Sequence, residues 1–173
     1  MTQDIEIPKI SQKHLLGIKY LSIDDINKIL ELAIFFKLKN KEKNKNYPIL
    51  TGRTIINLFF EPSTRTLISF EIAAKRLGAD VINMNIEGSS LRKGETLSDT
   101  AHTIGAMSPD LVVIRHSEDN SAEEISKLLE CPVVNAGEGI NEHPTQALLD
   151  AFTILDHKKT LKGLIVSICG DLE

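Results

Sequence analysis

The run Phe59-Phe60-Glu61-Pro62-Ser63-Thr64-Arg65-Thr66 concentrates the chemistry of anion binding. A β-branched and aromatic stretch, Thr54 to Phe60, reads as a buried strand. Pro62 turns the chain, and Ser63 to Leu77 has helical spacing through Leu67, Phe70, Ala74 and Leu77, with Gly78 as the stop. The first turn of a helix carries amide N–H groups without intrahelical partners and the positive end of the macrodipole. Hydroxyls on Ser63, Thr64 and Thr66 add donors, and Arg65 adds a cationic fork. Together these make a phosphate cradle. The spaced glycines and Gly-Lys-Ser/Thr ending of a Walker A loop are missing. Helix capping by Ser63 or Thr64 would use the same hydroxyls, and residue types alone leave both readings open.

Three further segments carry polar groups. Gly88-Ser89-Ser90-Leu91-Arg92-Lys93-Gly94-Glu95-Thr96 is a glycine-bracketed loop with two adjacent cations. It can close over an anion, or it can be an exposed loop whose Glu95 favours the next helix. Arg115-His116 ends a predicted strand. In Asn141-Glu142-His143-Pro144-Thr145-Gln146, His143 precedes a helix start and Gln146 lies one turn on; a capping histidine is the plainer alternative. Cys131 and Cys169 sit in apolar surroundings far apart and read as small reduced core residues. No metal-ligand spacing or Ser-His-Asp arrangement emerges, and His14, His102 and His157 receive no role.

The elements that must position these groups follow from periodicity and punctuation. A helix is expected from Asp24 to Lys39, capped by Ser22, then a polar loop to Pro48. Strands are expected at Thr54–Phe60, Val81–Asn85, Leu111–Arg115, Pro132–Asn135 and Leu164–Cys169. Between them lie helices at Ser63–Leu77, Thr96–Met107, Ser121–Leu129 (with Ser121 and Glu124 as a capping box) and Pro144–Leu155. This alternation predicts an α/β fold, a Rossmann-like parallel sheet with helices on both faces. Ligands of such sheets bind beyond the carboxyl ends of the strands. Residues 61–66, 85–90, 115–116 and 136–143 should therefore gather at one edge.

The chain has 173 residues, 42% hydrophobic and 25% charged, an ordinary globular composition. Residues 1–155 are expected to form the binding domain, and 156–173 a linker and first strand of a further, truncated one. No apolar run approaches the roughly 18 residues that span a membrane. Asp4 and Glu6 stand where a signal peptide would be basic and apolar. The net charge of −4 argues against nucleic acid as a partner. The lysines between Lys37 and Lys45 lack interleaved aromatics and read as a solvated helix end and loop.

The run Phe60 to Thr66, continued by Ser69-Phe70-Glu71, resembles the phosphate-binding signature of the carbamoyltransferases. Ser89 to Asp99 resembles their mobile Ser/Lys loop, and Arg115-His116 and His143 to Asp150 resemble the two later pieces, in the family's order and spacing. Phe60-Glu61-Pro62 and Lys93-Gly94-Glu95-Thr96 are more similar to the aspartate branch than to the ornithine branch. The resemblance implies the carbamoyl-phosphate-binding part of an enzyme that transfers a carbamoyl group to the α-amino group of L-aspartate, in pyrimidine biosynthesis, without metal or organic cofactor. It implies that Ser63, Thr64, Arg65 and Thr66 hold the phosphate with help from Arg115. Thr66, Arg115 and His143 would donate to the carbamoyl oxygen, and Gln146 would accept from the carbamoyl amino group. Ser89 and Lys93 would reach into a neighbouring subunit of a cytoplasmic homotrimer, which a regulatory chain could join. Gly170-Asp171-Leu172 would open the amino-acid domain, with the groups that grip aspartate beyond Glu173, so that this chain alone would bind carbamoyl phosphate weakly and not turn over. One departure stands out. Leu67 occupies a position that is commonly arginine, which implies altered local ion pairing. Rival readings are a carbamoyltransferase for another amine such as ornithine, or a non-catalytic phosphate-binding or assembly domain of this fold. A dinucleotide-binding protein would need G-x-G-x-x-G after the first strand.

Overall fold

A computed structural model describes residues 6–85 and 96–170. After a short 3-10 turn at Ile18–Tyr20 come α1 (Ile23–Lys39), β1 (Thr54–Phe59), α2 (Thr64–Arg76), β2 (Asp80–Asn85), α3 (Leu97–Ala106), β3 (Leu111–His116), α4 (Ser121–Leu128), β4 (Val133–Glu138) and α5 (Pro144–Lys158). The strands form one sheet in the order β2-β1-β3-β4, every pair parallel. The α/β reading therefore holds.

Both faces of the sheet are covered, which explains why its strands are runs of apolar residues rather than alternations. On one face Ile56, Leu58, Val112, Ile114 and Val133 pack with Ala101 and Ile104 of α3 and Ala122 and Ile125 of α4. On the other, Ile55, Phe59, Val113 and Ala136 pack with Ala74 of α2, joined by Leu67 and Phe70. Full burial of each Ile or Val contributes about 1.5–3 kcal/mol. Leu67 thus faces the sheet, as its place in the helical pattern suggested. α5 packs on β4 and α1 on α5. The outer edge of β4 is shielded by the N-terminal segment, where Leu15 forms a parallel bridge with Val134 and exchanges backbone bonds with Val133 and Asn135.

Helix starts follow two patterns. Ser22 caps α1 in a full capping box with Asp25, and Thr96 caps α3 in another with Asp99. The box expected from Ser121 and Glu124 does not form. Asn120 takes the cap position in a left-handed conformation (φ 64°), and the Ser121 hydroxyl donates to the Glu118 carbonyl at 2.7 Å. The Glu124 amide that the box needs donates to the Asn120 carbonyl at 2.9 Å, because the helix starts one residue earlier, and the Ala122 amide is taken by the buried Glu138 carboxylate at 3.0 Å.

Two other expectations give way. Leu164–Cys169 forms no strand, and Ile165 is 98% exposed and Ile168 88%. A β-branched run becomes a strand only where a neighbouring backbone meets its N–H and C=O groups, and among the described residues none lies alongside. Cys169 is consequently exposed; Cys131 is half-buried against the core, and burial pushes its thiol pKa up. β4 also runs past Asn135 to Glu138, beyond a register shift between Ile114 and His116.

Glu138 also accepts from Asn141 Nδ2 at 3.1 Å. Glu138→Ala should therefore cost about 2 kcal/mol, as expected for losing bonds to a charged acceptor. A urea midpoint by far-UV circular dichroism would check this; an unchanged midpoint would remove Glu138 as the anchor of α4.

Candidate anion-binding site

The parallel order puts the carboxyl ends of β1, β3 and β4 side by side. Phe59 pairs with Arg115, and the Phe60 amide donates to the Arg115 carbonyl at 2.9 Å. The turn from β1 into α2 therefore leaves from beside Arg115. The guanidinium bridges the neighbouring segments: Nη1 donates to the Ala136 carbonyl of β4 at 3.1 Å, and Nη2 to Glu61 Oε1 at 3.2 Å. Its Nε is buried with no partner among the described residues.

Gly137 makes this arrangement possible. Its φ is +113°, a conformation that side-chain-bearing residues rarely adopt. A Cβ there would run into Arg115 Nη1 and lie 3.2 Å from His143 Cδ2. Arg115 and His143 thus meet over one glycine. Asn135 supports the bend, accepting from the Gly137 amide at 2.8 Å and donating to the Leu16 carbonyl at 2.9 Å.

His143 stands at the start of α5, just before Pro144, and makes no capping bond with its side chain. Its Nδ1 lies 3.4 Å from the Thr145 hydroxyl. A hydroxyl donating to Nδ1 leaves the ring proton on Nε2. Burial, then the Arg115 charge, lowers the His143 pKa below its ordinary value of 6.5, so the ring is neutral at neutral pH and can give one N–H. Gln146 Nε2 donates to Asp150 Oδ1 at 2.9 Å, which leaves its oxygen free to accept.

The start of α2 is open in the same way. Ser63 holds the cap position without a side-chain bond to the helix; its hydroxyl donates instead to Thr66 Oγ1 at 2.9 Å. Thr64 and Arg65 are exposed, and the Arg65 guanidinium has no partner among the described residues. The capping alternatives for Ser63 and His143 are therefore not what these side chains do. α1 and α3 are capped by hydroxyls, whereas α2 starts with no side-chain bond to its first amides; at α5 Pro144 has no N–H and the Gln146 amide donates to the His143 carbonyl at 3.0 Å.

Arg65, Thr66, Arg115, His143, Gln146, Ser63 and Thr64 come from β1–α2, β3 and β4–α5 and belong to one edge. Ser89 and Lys93 lie outside the described residues. His116 turns away, packing on Phe60 (ring centroids 4.6 Å) and accepting from the Glu118 amide at 2.9 Å. Two contributors were missed in the sequence. Glu61 is the ion partner of Arg115, and Gly137 is its clearance; the signal for the latter was a glycine just past the end of an expected strand. Among the described residues no cluster of His, Cys, Asp or Glu could hold a metal ion.

An open helix start after the first strand, with an arginine and a histidine beside it, is an arrangement of an α/β domain suited to an anion. The chain belongs to the aspartate/ornithine carbamoyltransferase family, matching its carbamoyl-P binding domain over residues 13–156. It is 59% identical over 164 residues to the aspartate carbamoyltransferase catalytic subunit of Pelagibacter ubique, covering 95% of this chain and 52% of that one. It is 52% identical to the corresponding subunit of Rhodospirillum centenum, covering 99% and 53%. Aspartate transcarbamoylase from Trypanosoma cruzi, solved in complex with carbamoyl phosphate and aspartate, superposes with a TM-score of 0.83 at 38% identity, over 91% of this chain and 50% of that one. The chain spans about half the length of these relatives.

Two outcomes follow. Gly137→Ala should weaken binding of inorganic phosphate by about tenfold or more, about 1.4 kcal/mol, because Arg115 must leave its place; calorimetry giving the wild-type affinity would show that Arg115 does not depend on this glycine. The second concerns acid. His14, His116 and His143 are all held below 6.5, first by burial. The unfolded chain takes up protons that the folded chain resists, so stability present above pH 6.5 is lost as pH falls below it. The urea midpoint should drop between about pH 7.5 and about pH 5.5; a level profile would mean these rings protonate freely in the folded chain.

Proposed function

We propose that this chain carries the carbamoyl phosphate site of an aspartate carbamoyltransferase, acting in pyrimidine biosynthesis. The observation that carries the reading is the convergence of Arg115 and His143 over Gly137, beside the uncapped start of α2. The names of the relatives favour aspartate over ornithine as the acceptor. In this reading Ser63, Thr64, Arg65 and Thr66 hold the phosphate with the first amides of α2. Glu61 shares the Arg115 guanidinium until the anion arrives; being partly exposed, it can release it to a more highly charged partner.

The reaction is attack of the aspartate α-amino group on the carbamoyl carbon, with charge developing on the carbonyl oxygen and phosphate leaving. Positioning and electrostatic stabilisation supply the acceleration. Thr66, Arg115 and His143 donate to the carbonyl oxygen. The lowered pKa of His143 suits a neutral N–H donor rather than a second cation beside Arg115. Gln146, its amide nitrogen already donating to Asp150, presents its oxygen to the carbamoyl amino group. The proposal requires no metal or organic cofactor. It further assigns Ser89 and Lys93 to a neighbouring subunit's site in a homotrimer, a cytoplasmic setting with room for a regulatory chain, and an amino-acid domain following the 1–155 unit. Among the described residues no helix is long and apolar enough to cross a membrane.

Calorimetry with phosphonoacetamide should show binding to this chain that Arg65→Ala abolishes; equal affinity in the two would sink the cradle. In the two-domain enzyme, His143→Ala should lower turnover by about 2.7–4 kcal/mol of transition-state stabilisation, the cost of one oxyanion donor, with a smaller effect on carbamoyl phosphate affinity. Wild-type turnover in that variant would end the oxyanion role.

A further inference from the structure

Behind the cradle, α2 is tied to the sheet by a line of hydrogen bonds that the roles above do not use. Asn57 lies in the middle of β1 and is fully buried. Its Nδ2 donates at 2.8 Å to Oδ1 of Asn83, its paired residue on β2. Asn83 Nδ2 donates in turn to Glu71 Oε2 of α2 at 2.7 Å, and Lys75 Nζ donates to Glu71 Oε1 at 2.5 Å. Both carboxylate oxygens of Glu71 are thus engaged. Asn57 Oδ1 is buried without a partner among the described residues. That acceptor carries a desolvation penalty which an apolar side chain in mid-strand would avoid.

Against the sheet the rest of the α2 contact is apolar, Leu67, Phe70 and Ala74 against Ile55 and Phe59. The far end of the helix is held separately, the Arg76 carbonyl accepting from the Tyr47 amide at 2.7 Å and Arg76 Nη1 donating to Asn40 Oδ1 at 2.8 Å, which leaves the turn at 63–66 to be set from Glu71. Apolar contact has no preferred direction and lets a helix slide or roll. Hydrogen bonds are directional and fix both. Leu67 contributes twice. It packs on the sheet, and it leaves Glu71, one turn further along, to Asn83 and Lys75; a cation at 67 would compete for that carboxylate.

We infer that Glu71, acting through Asn83 and Asn57, is a positioning residue that sets where the first turn of α2 stands relative to Arg115 and His143. The inference rests on reading that turn as a phosphate cradle. Glu71 lies seven residues beyond Thr64, ~10 Å along the helix axis, so it acts without touching the anion.

The test compares Glu71→Ala with Glu71→Gln in this chain, by amide NMR and by titration with inorganic phosphate, at a temperature where circular dichroism shows both folded. Glu71→Ala should move the backbone amide resonances of Ser63 to Thr66 and weaken phosphate about fivefold, within the range for residues acting at a distance. Glu71→Gln keeps an acceptor for Asn83 and should restore both. A folded Glu71→Ala whose resonances at 63–66 match the wild type would overturn the inference and leave Glu71 a purely stabilising role. If the wild-type chain takes up no phosphate while those resonances still respond to Glu71→Ala, the cradle reading falls and the positioning role stands. Should Glu71→Ala not fold, Asn83→Asp replaces it: the acceptor for Asn57 is kept, and a second carboxylate faces Glu71. Resonances at 63–66 that differ from wild type at about pH 7.5 and return at about pH 5.5, as the facing carboxylates share a proton, support the role. Resonances matching wild type at both values overturn it.

Discussion

Arg115 has to stand, charged, where three segments of chain converge, and the rest of the site is arranged around that requirement. A guanidinium cannot shed its charge, so it must be supplied with acceptors wherever it is buried. The Ala136 carbonyl and the Glu61 carboxylate are those acceptors. The carbonyl is part of the sheet and cannot leave; the carboxylate is on a turn and can. Arg115 is therefore held in place by one partner and neutralised by another that is partly exposed. Gly137 removes the side chain that would otherwise occupy the same volume, and His143 closes the space from α5. The depressed pKa of His143 is a consequence, since a ring half-buried beside a permanent cation is better off neutral.

The helix starts show how stability and function are divided. α1 and α3 are closed by hydroxyl capping boxes, and α4 by a carboxylate from the next strand. α2 and α5 begin with no side-chain bond. An uncapped start forgoes about 1 kcal/mol of helix stability, and at α2 what remains is a set of amides at the sheet edge. Pro144 lessens the loss at α5, because its missing N–H would have had no intrahelical partner.

How much of this was legible beforehand varied with the range of the interaction. The order of strands and helices, the Ser22 cap and the inward face of α2 (Leu67, Phe70, Ala74) are matters of local spacing and stood in the sequence. The gathering of 61–66, 115 and 143 at one edge followed from parallel topology alone. Ser121 misled because the helix starts one residue earlier, at Asn120, whose carbonyl takes the Glu124 amide, while Glu138, distant in sequence, reaches back to the Ala122 amide. Leu164–Cys169 misled for the opposite reason. Its composition suits a strand, but pairing is a property of two backbones, and among the described residues none pairs with it.

Residue types and their spacing determined the α/β order and marked the hydroxyls and Arg65 at the start of α2, with Arg115, His143 and Gln146, as the polar groups near the strand ends; their candidate roles came from the family resemblance. Tertiary structure alone decided that Glu61 is Arg115's ion partner, that Gly137 is the clearance between Arg115 and His143, and that Asn57, Asn83 and Glu71 form one line. The reason is physical: periodicity records which face a residue presents, but the partner of a buried charge or amide is chosen by distance and direction, which exist only once β1, β3 and β4 lie side by side.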